Sequence, residues 1–155
     1  MLFRSLAVLG NHEFDFGDDV AKARINESKF PWLAGNLTQA DGKPFHTTIA
    51  TTMKEFGGLK FGFFGVITPE TEHLSSPGKD LKFEDYLAAS TRLVKQLKDQ
   101  GADVVIGLTH LNFPEDRELA RKVRGIDLIL GGHDHEPLTA YEGTTLIHKI
   151  GRAHV

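Results

Sequence analysis

The stretch GNHEFD, residues 10–15, places an amide, an imidazole and two carboxylates directly behind the apolar run LAVLG. The amide oxygen of Asn11 is a hard donor, suited to Mn²⁺, Mg²⁺ or Fe and acceptable to Zn²⁺. His12 cannot easily face the same ion as its neighbour, which leaves it for proton transfer or charge stabilisation. Asp15, three residues on, is close enough to fix the His12 tautomer and raise its basicity. The same residues also describe an ordinary strand-to-helix turn with Asp15 or Asp18 as the N-cap, and the two readings are compatible.

Two further stretches carry imidazoles. GGHDHE, residues 131–136, sets His133 and His135 one residue apart. In extended backbone such a pair points one way and reaches one metal or two adjacent ones. The preceding glycines let the chain turn tightly against an ion. Taken alone, this stretch reads equally well as an exposed polar loop. LTHLN, residues 108–112, puts His110 just beyond a hydrophobic strand. A lone imidazole there is more often simply hydrogen-bonded than metal-bound.

These residues need elements to position them. Residues 6–9 read as a short buried strand, and 18–28 as a short helix through Val20, Ala21, Ala23 and Ile25. Residues 30–37 read as a second strand entered through Pro31. A hairpin is expected over 49–56 and 60–67, with a two-residue turn at Gly57 and Gly58 as one of several options, followed by a loop over 68–82. Residues 84–100 form the clearest helix, with Leu87, Ser90, Val94 and Leu97 on one face and Gly101 as its stop. A buried strand over 103–108 and a charged helix over 114–123, with Leu119 and Val123 inward, come next. Strands over 127–130 and 145–147 follow. Strands alternating with helices predict an α/β fold with at least one antiparallel ribbon. In open α/β sheets ligands gather where the carboxyl ends of strands emerge, and all three polar stretches sit at such ends.

Composition narrows the function. The 155 residues, 40% hydrophobic and 25% charged, suffice for one globular domain with its own core. A net charge of −3 without a Lys/Arg cluster argues against a nucleic-acid polymer as partner. No apolar run approaches the ~20 residues of a membrane span, and MLFRSLAVLG is too short in its apolar part for a signal peptide. The chain has no Cys and eight His, so any metal must be held by N and O ligands.

In combination and in order, the three stretches resemble the calcineurin-like metallophosphoesterases, most closely the 5′-nucleotidase branch, whose pattern includes a Gly-Asn-His-Glu-Phe-Asp box. FGVITPET at 64–71 and GADVVIGLTHL…GIDLILGGHDHE are also similar to that branch, so the resemblance covers nearly all of 6–149. It implies an α/β/β/α sandwich and a site for two divalent ions, Mn, Zn, Mg or Fe. Asn11, His110 and His133 would bind one metal and His135 the other. Asn11 and His12 would meet the substrate. His12 would stabilise charge on the transferring phosphoryl group or protonate the leaving oxygen, with Asp15 orienting it. The implied reaction is hydrolysis of phosphate esters, above all nucleoside 5′-monophosphates, by in-line attack of a metal-bound hydroxide. The implied parent enzyme is periplasmic or extracellular, and carries a carboxy-terminal substrate domain. A non-catalytic metal-binding or interaction module on the same fold is the alternative.

The chain departs from that pattern at its start. The family's upstream Asp-x-His, and the Gly-Asp whose carboxylate bridges both metals, do not occur before Gly10. The two ends, MLFRS and IGRAHV, can be encoded as reverse complements of one another, like one sequencing adaptor read in both orientations. Residues 1–5 and 150–155 are therefore expected to be scars. On that expectation 6–149 is a partial catalytic domain, truncated at both ends and inactive alone.

Overall fold

The computed structural model describes residues 5–151, so most of the two adaptor-like ends, 1–4 and 152–155, lies outside the described residues. The chain opens with β1 (Ala7–Val8), a 3-10 turn (Asn11–Phe14), α1 (Gly17–Glu27), β2 (Trp32–Leu33) and β3 (Leu37–Thr38). It continues through β4 (Thr51–Phe56), β5 (Leu59–Ile67), α2 (Thr71–Leu74), β6 (Lys82–Phe83) and α3 (Tyr86–Asp99). The last part holds β7 (Val104–His110), α4 (Phe113–Lys122), β8 (Leu128–Gly131), β9 (Leu138–Glu142) and β10 (Thr145–Lys149).

The main sheet has six strands in the order β4-β5-β7-β8-β10-β9. Its centre is parallel, from β5 through β7 and β8 to β10. An antiparallel strand closes each edge, β4 on β5 and β9 on β10. The β4–β5 hairpin turns at Gly57 and Gly58, with φ of 60° and 82°. Positive φ at both central residues is what a type I′ turn demands, and glycine supplies it without steric cost.

Helices α3 and α4 cover one face of this sheet, burying Phe64, Leu93, Leu97, Val105, Leu119 and Ile129. Asp85 caps α3 by accepting from the Ala88 amide at 2.8 Å, a contact that satisfies one of the free N–H groups of the first turn. On the other face β1 pairs with β2 in parallel, and Leu33 bridges to Ile49. A second core of Leu9, Phe14, Ala21, Ile25, Phe45 and Ile67 joins this layer to α1. The result is the expected α/β/β/α arrangement.

Several local expectations change. Residues 30–37 are not one strand, because Asn36 interrupts them and is fully buried. Its amide donates to the Ile67 and Glu84 carbonyls at 2.8 and 3.0 Å, and its oxygen accepts from the Ile67 amide at 2.9 Å. A side chain thus replaces the ladder there. In α3 the core-facing stripe runs through Tyr86, Ala89, Ser90, Leu93, Val94 and Leu97, and Leu87 is only half-buried. Val20 in α1 is exposed. The stretch 68–82 holds α2 and the start of β6, and LTAYE forms an edge strand whose mixed polarity conceals it in the sequence. Neither Asp15 nor Asp18 caps α1, which begins after Phe16. Asp18 instead accepts from the Gly78 amide at 2.8 Å. No helix among the described residues is long and apolar enough to cross a membrane.

Candidate metal centre

Three strand ends deliver the polar residues to one place. Asn11 follows β1 through the 3-10 turn, His110 is the last residue of β7, and His133 lies two residues past β8. Register explains the meeting, because β7 and β8 run side by side with Thr109 opposite Gly131. The His110 Nε2 lies 2.8 Å from Asn11 Oδ1 and 3.2 Å from His133 Nδ1. The two rings stand edge to face with centroids 4.9 Å apart.

The other two residues form the second half of the site. His135 stacks near His12, ring centroids 6.4 Å apart. His12 Nδ1 is 2.8 Å from Asp15 Oδ2, and Asp15 Oδ1 accepts from the Ser75 hydroxyl at 2.8 Å. His12, His110, His133 and His135 all line one cavity of about 800 Å³, together with the apolar Leu108 and Leu130. One geometric expectation fails here. His133 and His135 do not share an extended backbone; their φ values are 81° and 62°. The left-handed turn sends one ring towards His110 and the other towards His12.

Electrostatics follow from burial. Burial pushes the His110 ring down to about 3, with His133 beside it acting in the same direction, so His110 is neutral at ordinary pH. Burial also lowers His133. Asp15 is held below the usual carboxylate range by its bonds to His12 and then Ser75. Glu13, which sequence reasoning passed over, lines the same cavity and accepts from the Gly10 amide at 2.6 Å. Burial raises it.

The donor chemistry fits a divalent cation in part. Asn11 Oδ1 can only accept, and the two facing ring nitrogens can share at most one proton, so lone pairs crowd one point. Bonds of about 2.0–2.2 Å to a single ion place neighbouring donors roughly 3 Å apart, close to the spacing seen. The Asn11 amide carries no charge, His110 is neutral, and burial disfavours the charged form of His133. Among the described residues no group of three or more His, Cys, Asp or Glu is placed to hold a metal ion; the third donor here is an amide.

Gly10 is required by space rather than by backbone angle. Its φ of −117° is ordinary, but a methyl added there would lie 2.5 Å from the His110 ring. Gly10→Ala is therefore expected to push the imidazole off Asn11 and to cost about 1–3 kcal/mol, as overpacking does. Urea unfolding measures that loss, and an unchanged midpoint would contradict the packing described.

The calcineurin-like phosphoesterase family matches residues 2–137. The chain is 37% identical over 137 residues to a 5′-nucleotidase of Diplobatis ommata, and 37% identical over 133 residues to the human 5′-nucleotidase. Each match covers 82% of this chain but 23% of the relative's length. Among solved structures, the NAD nucleotidase of Haemophilus influenzae superposes with a TM-score of 0.84 at 26% identity, covering 96% of this chain and 30% of that one. The family match runs through all three histidine-bearing stretches, and the fold agrees along nearly the whole chain: this chain belongs to the calcineurin-like phosphoesterase family.

Proposed function

We propose that this chain is the metal-binding part of a phosphate-ester hydrolase acting on nucleoside 5′-monophosphates. One observation carries the reading: Asn11 Oδ1, His110 Nε2 and His133 Nδ1 crowd their lone pairs together, beside a cavity that His110 and His133 line. In this proposal those three hold one divalent ion and His135 faces a second. Such ions supply Lewis acidity at a phosphoryl oxygen and a more acidic water. The remaining steps belong to side chains. With Nδ1 committed to Asp15, His12 presents Nε2 to the substrate, where it donates a proton to the leaving oxygen or stabilises phosphoryl charge. Asp15 fixes the tautomer that makes this possible. The names of the 5′-nucleotidase relatives support the substrate class. A separate nucleoside-binding domain and a periplasmic or extracellular setting belong to the same proposal, because the chain spans only 23% of those relatives.

The isolated chain is expected to hydrolyse its substrate poorly, because the donors that converge, Asn11, His110 and His133, include no carboxylate to bridge two ions. The test is hydrolysis of AMP and p-nitrophenyl phosphate with added Mn²⁺ or Zn²⁺, beside a binding titration of each ion. Binding that disappears in His110→Ala, with weak turnover, is the expected result. Equal binding by the unmodified chain and His110→Ala would overturn the assignment. Robust turnover abolished by His135→Ala would overturn the view that the isolated chain is incomplete. An ion bound without turnover, even in a longer protein carrying this chain, would favour a non-catalytic module.

A further inference from the structure

Lys149 is the last residue of β10, where alternation along Thr145, Ile147 and Lys149 turns it to the core side. Its side chain is 1% exposed. An ammonium so placed is costly unless paired and hydrogen-bonded. Lys149 meets this demand with partners from three separate elements. Its Nζ donates to the Leu111 carbonyl at 2.6 Å and to Asp116 Oδ2 on α4 at 2.6 Å. It also lies 2.9 Å from Asp134 Oδ2.

Each partner is tied to a histidine. Leu111 directly follows His110, and Asp134 stands between His133 and His135. The fully buried Asp116 accepts from the hydroxyl of Thr109, the residue before His110, at 2.7 Å. Gly131 leaves the space for this cluster, since a methyl there would lie 2.7 Å from Asp116 Oδ2 and 2.9 Å from Lys149 Nζ. The Asp134 contact is an ion pair without hydrogen-bond alignment, for Asp134 Oδ2 is buried with no hydrogen-bond partner. This electrostatic attraction holds the histidine loop to the sheet together with the bond from the Gly132 amide to the Thr109 carbonyl at 2.9 Å. The loop needs holding: His133 and His135 both have positive φ, which costs on the order of 1–3 kcal/mol per residue and persists only where surroundings impose it.

We infer that Lys149 is a positioning residue for the metal centre: its buried ammonium pins Asp134, and through Asp134 the left-handed backbone that aims His133 and His135. The functional consequence rests on the metal-binding reading above, whereas the positioning itself does not. Asp134→Asn is the cleaner variant, because the Lys149–Asp116 pair stays intact and the fold with it. Its Tm should remain within about 4 °C of the unmodified chain. Its affinity for Zn²⁺, measured by calorimetric titration, should fall roughly 10–100-fold, the usual cost of losing a group that orients a ligand. Lys149→Met should lose a similar factor, and should lose no more in the Asp134→Asn background, since coupled residues are not additive. Glu136→Gln, on the same loop, should change nothing.

A metal-free measurement separates this inference from the reading beneath it. Amide hydrogen exchange at residues 133–135 should quicken in Asp134→Asn, and the His133 and His135 ring signals should move in Lys149→Met while those of His46 stay. If the unmodified chain binds no Zn²⁺, the metal reading fails and the exchange and ring signals decide the positioning alone. Zn²⁺ affinity in Asp134→Asn equal to that of the unmodified chain, or unchanged exchange at 133–135, overturns the role of Lys149.

Discussion

In a catalytically active protein carrying this chain, His12→Ala lowers kcat for AMP by roughly 10²–10⁴-fold, the range of general acid–base contributions, and leaves the metal content unchanged. The geometry behind this expectation is a division between neighbours. Asn11 is buried and turned to His110, whereas the His12 side chain is 61% exposed and bonded to Asp15. Asn11→Ala should weaken metal binding, because it removes the oxygen donor. Asp15→Asn should resemble a milder His12 defect, since it disturbs only the orientation and charge state of that ring. Elemental analysis beside steady-state kinetics separates these outcomes. Loss of metal from His12→Ala as ready as from His110→Ala would show that His12 is itself a ligand.

Phe64→Ala should cost about 3–5 kcal/mol, the usual range for emptying a buried aromatic site. Phe64 is fully buried in β5, between the sheet and the stripe of α3 that contains Leu93 and Leu97. Domains of this size are stable by about 5–15 kcal/mol in all, so the variant should unfold at markedly lower urea. The effect reaches the metal centre, because β5 sets the register of β7, pairing Phe64 with Gly107 and Ile67 with His110. A loss below about 1 kcal/mol would mean that the site has collapsed around the cavity far more than such cores do.

Much of this organisation was legible before any coordinates. The apolar runs place strand ends at Leu9, Leu108 and Leu130, and the strands end at Val8, His110 and Gly131, each within two residues, because hydrophobic period reports where a buried run stops. Gly57 and Gly58 offered a two-residue turn among several, and their positive φ values select it. Asn36 was hidden because a buried amide satisfying a distant backbone looks, in sequence, like any other residue of a strand. Lys149 carried a readable signal, its alternation with Thr145 and Ile147, but a charge argues for exposure until its partners are known.

What the amino-acid order determined by itself was the local matter: which of the longer apolar runs become strands and helices, and that any metal held by this chain must be held by nitrogen and oxygen. What tertiary structure alone decided was the meeting of those ends. Asn11 and His110 are far apart in the chain yet 2.8 Å apart in space, because two strands of different layers stop at the same height. The His-x-His pair shows the limit most sharply. Its spacing predicts two rings on one side of extended backbone, while the fold bends both residues to positive φ and points the rings at different neighbours. Spacing along the chain encodes direction only once the backbone angles are fixed, and the ion pair of Asp134 with Lys149, fifteen residues further on, helps to fix them.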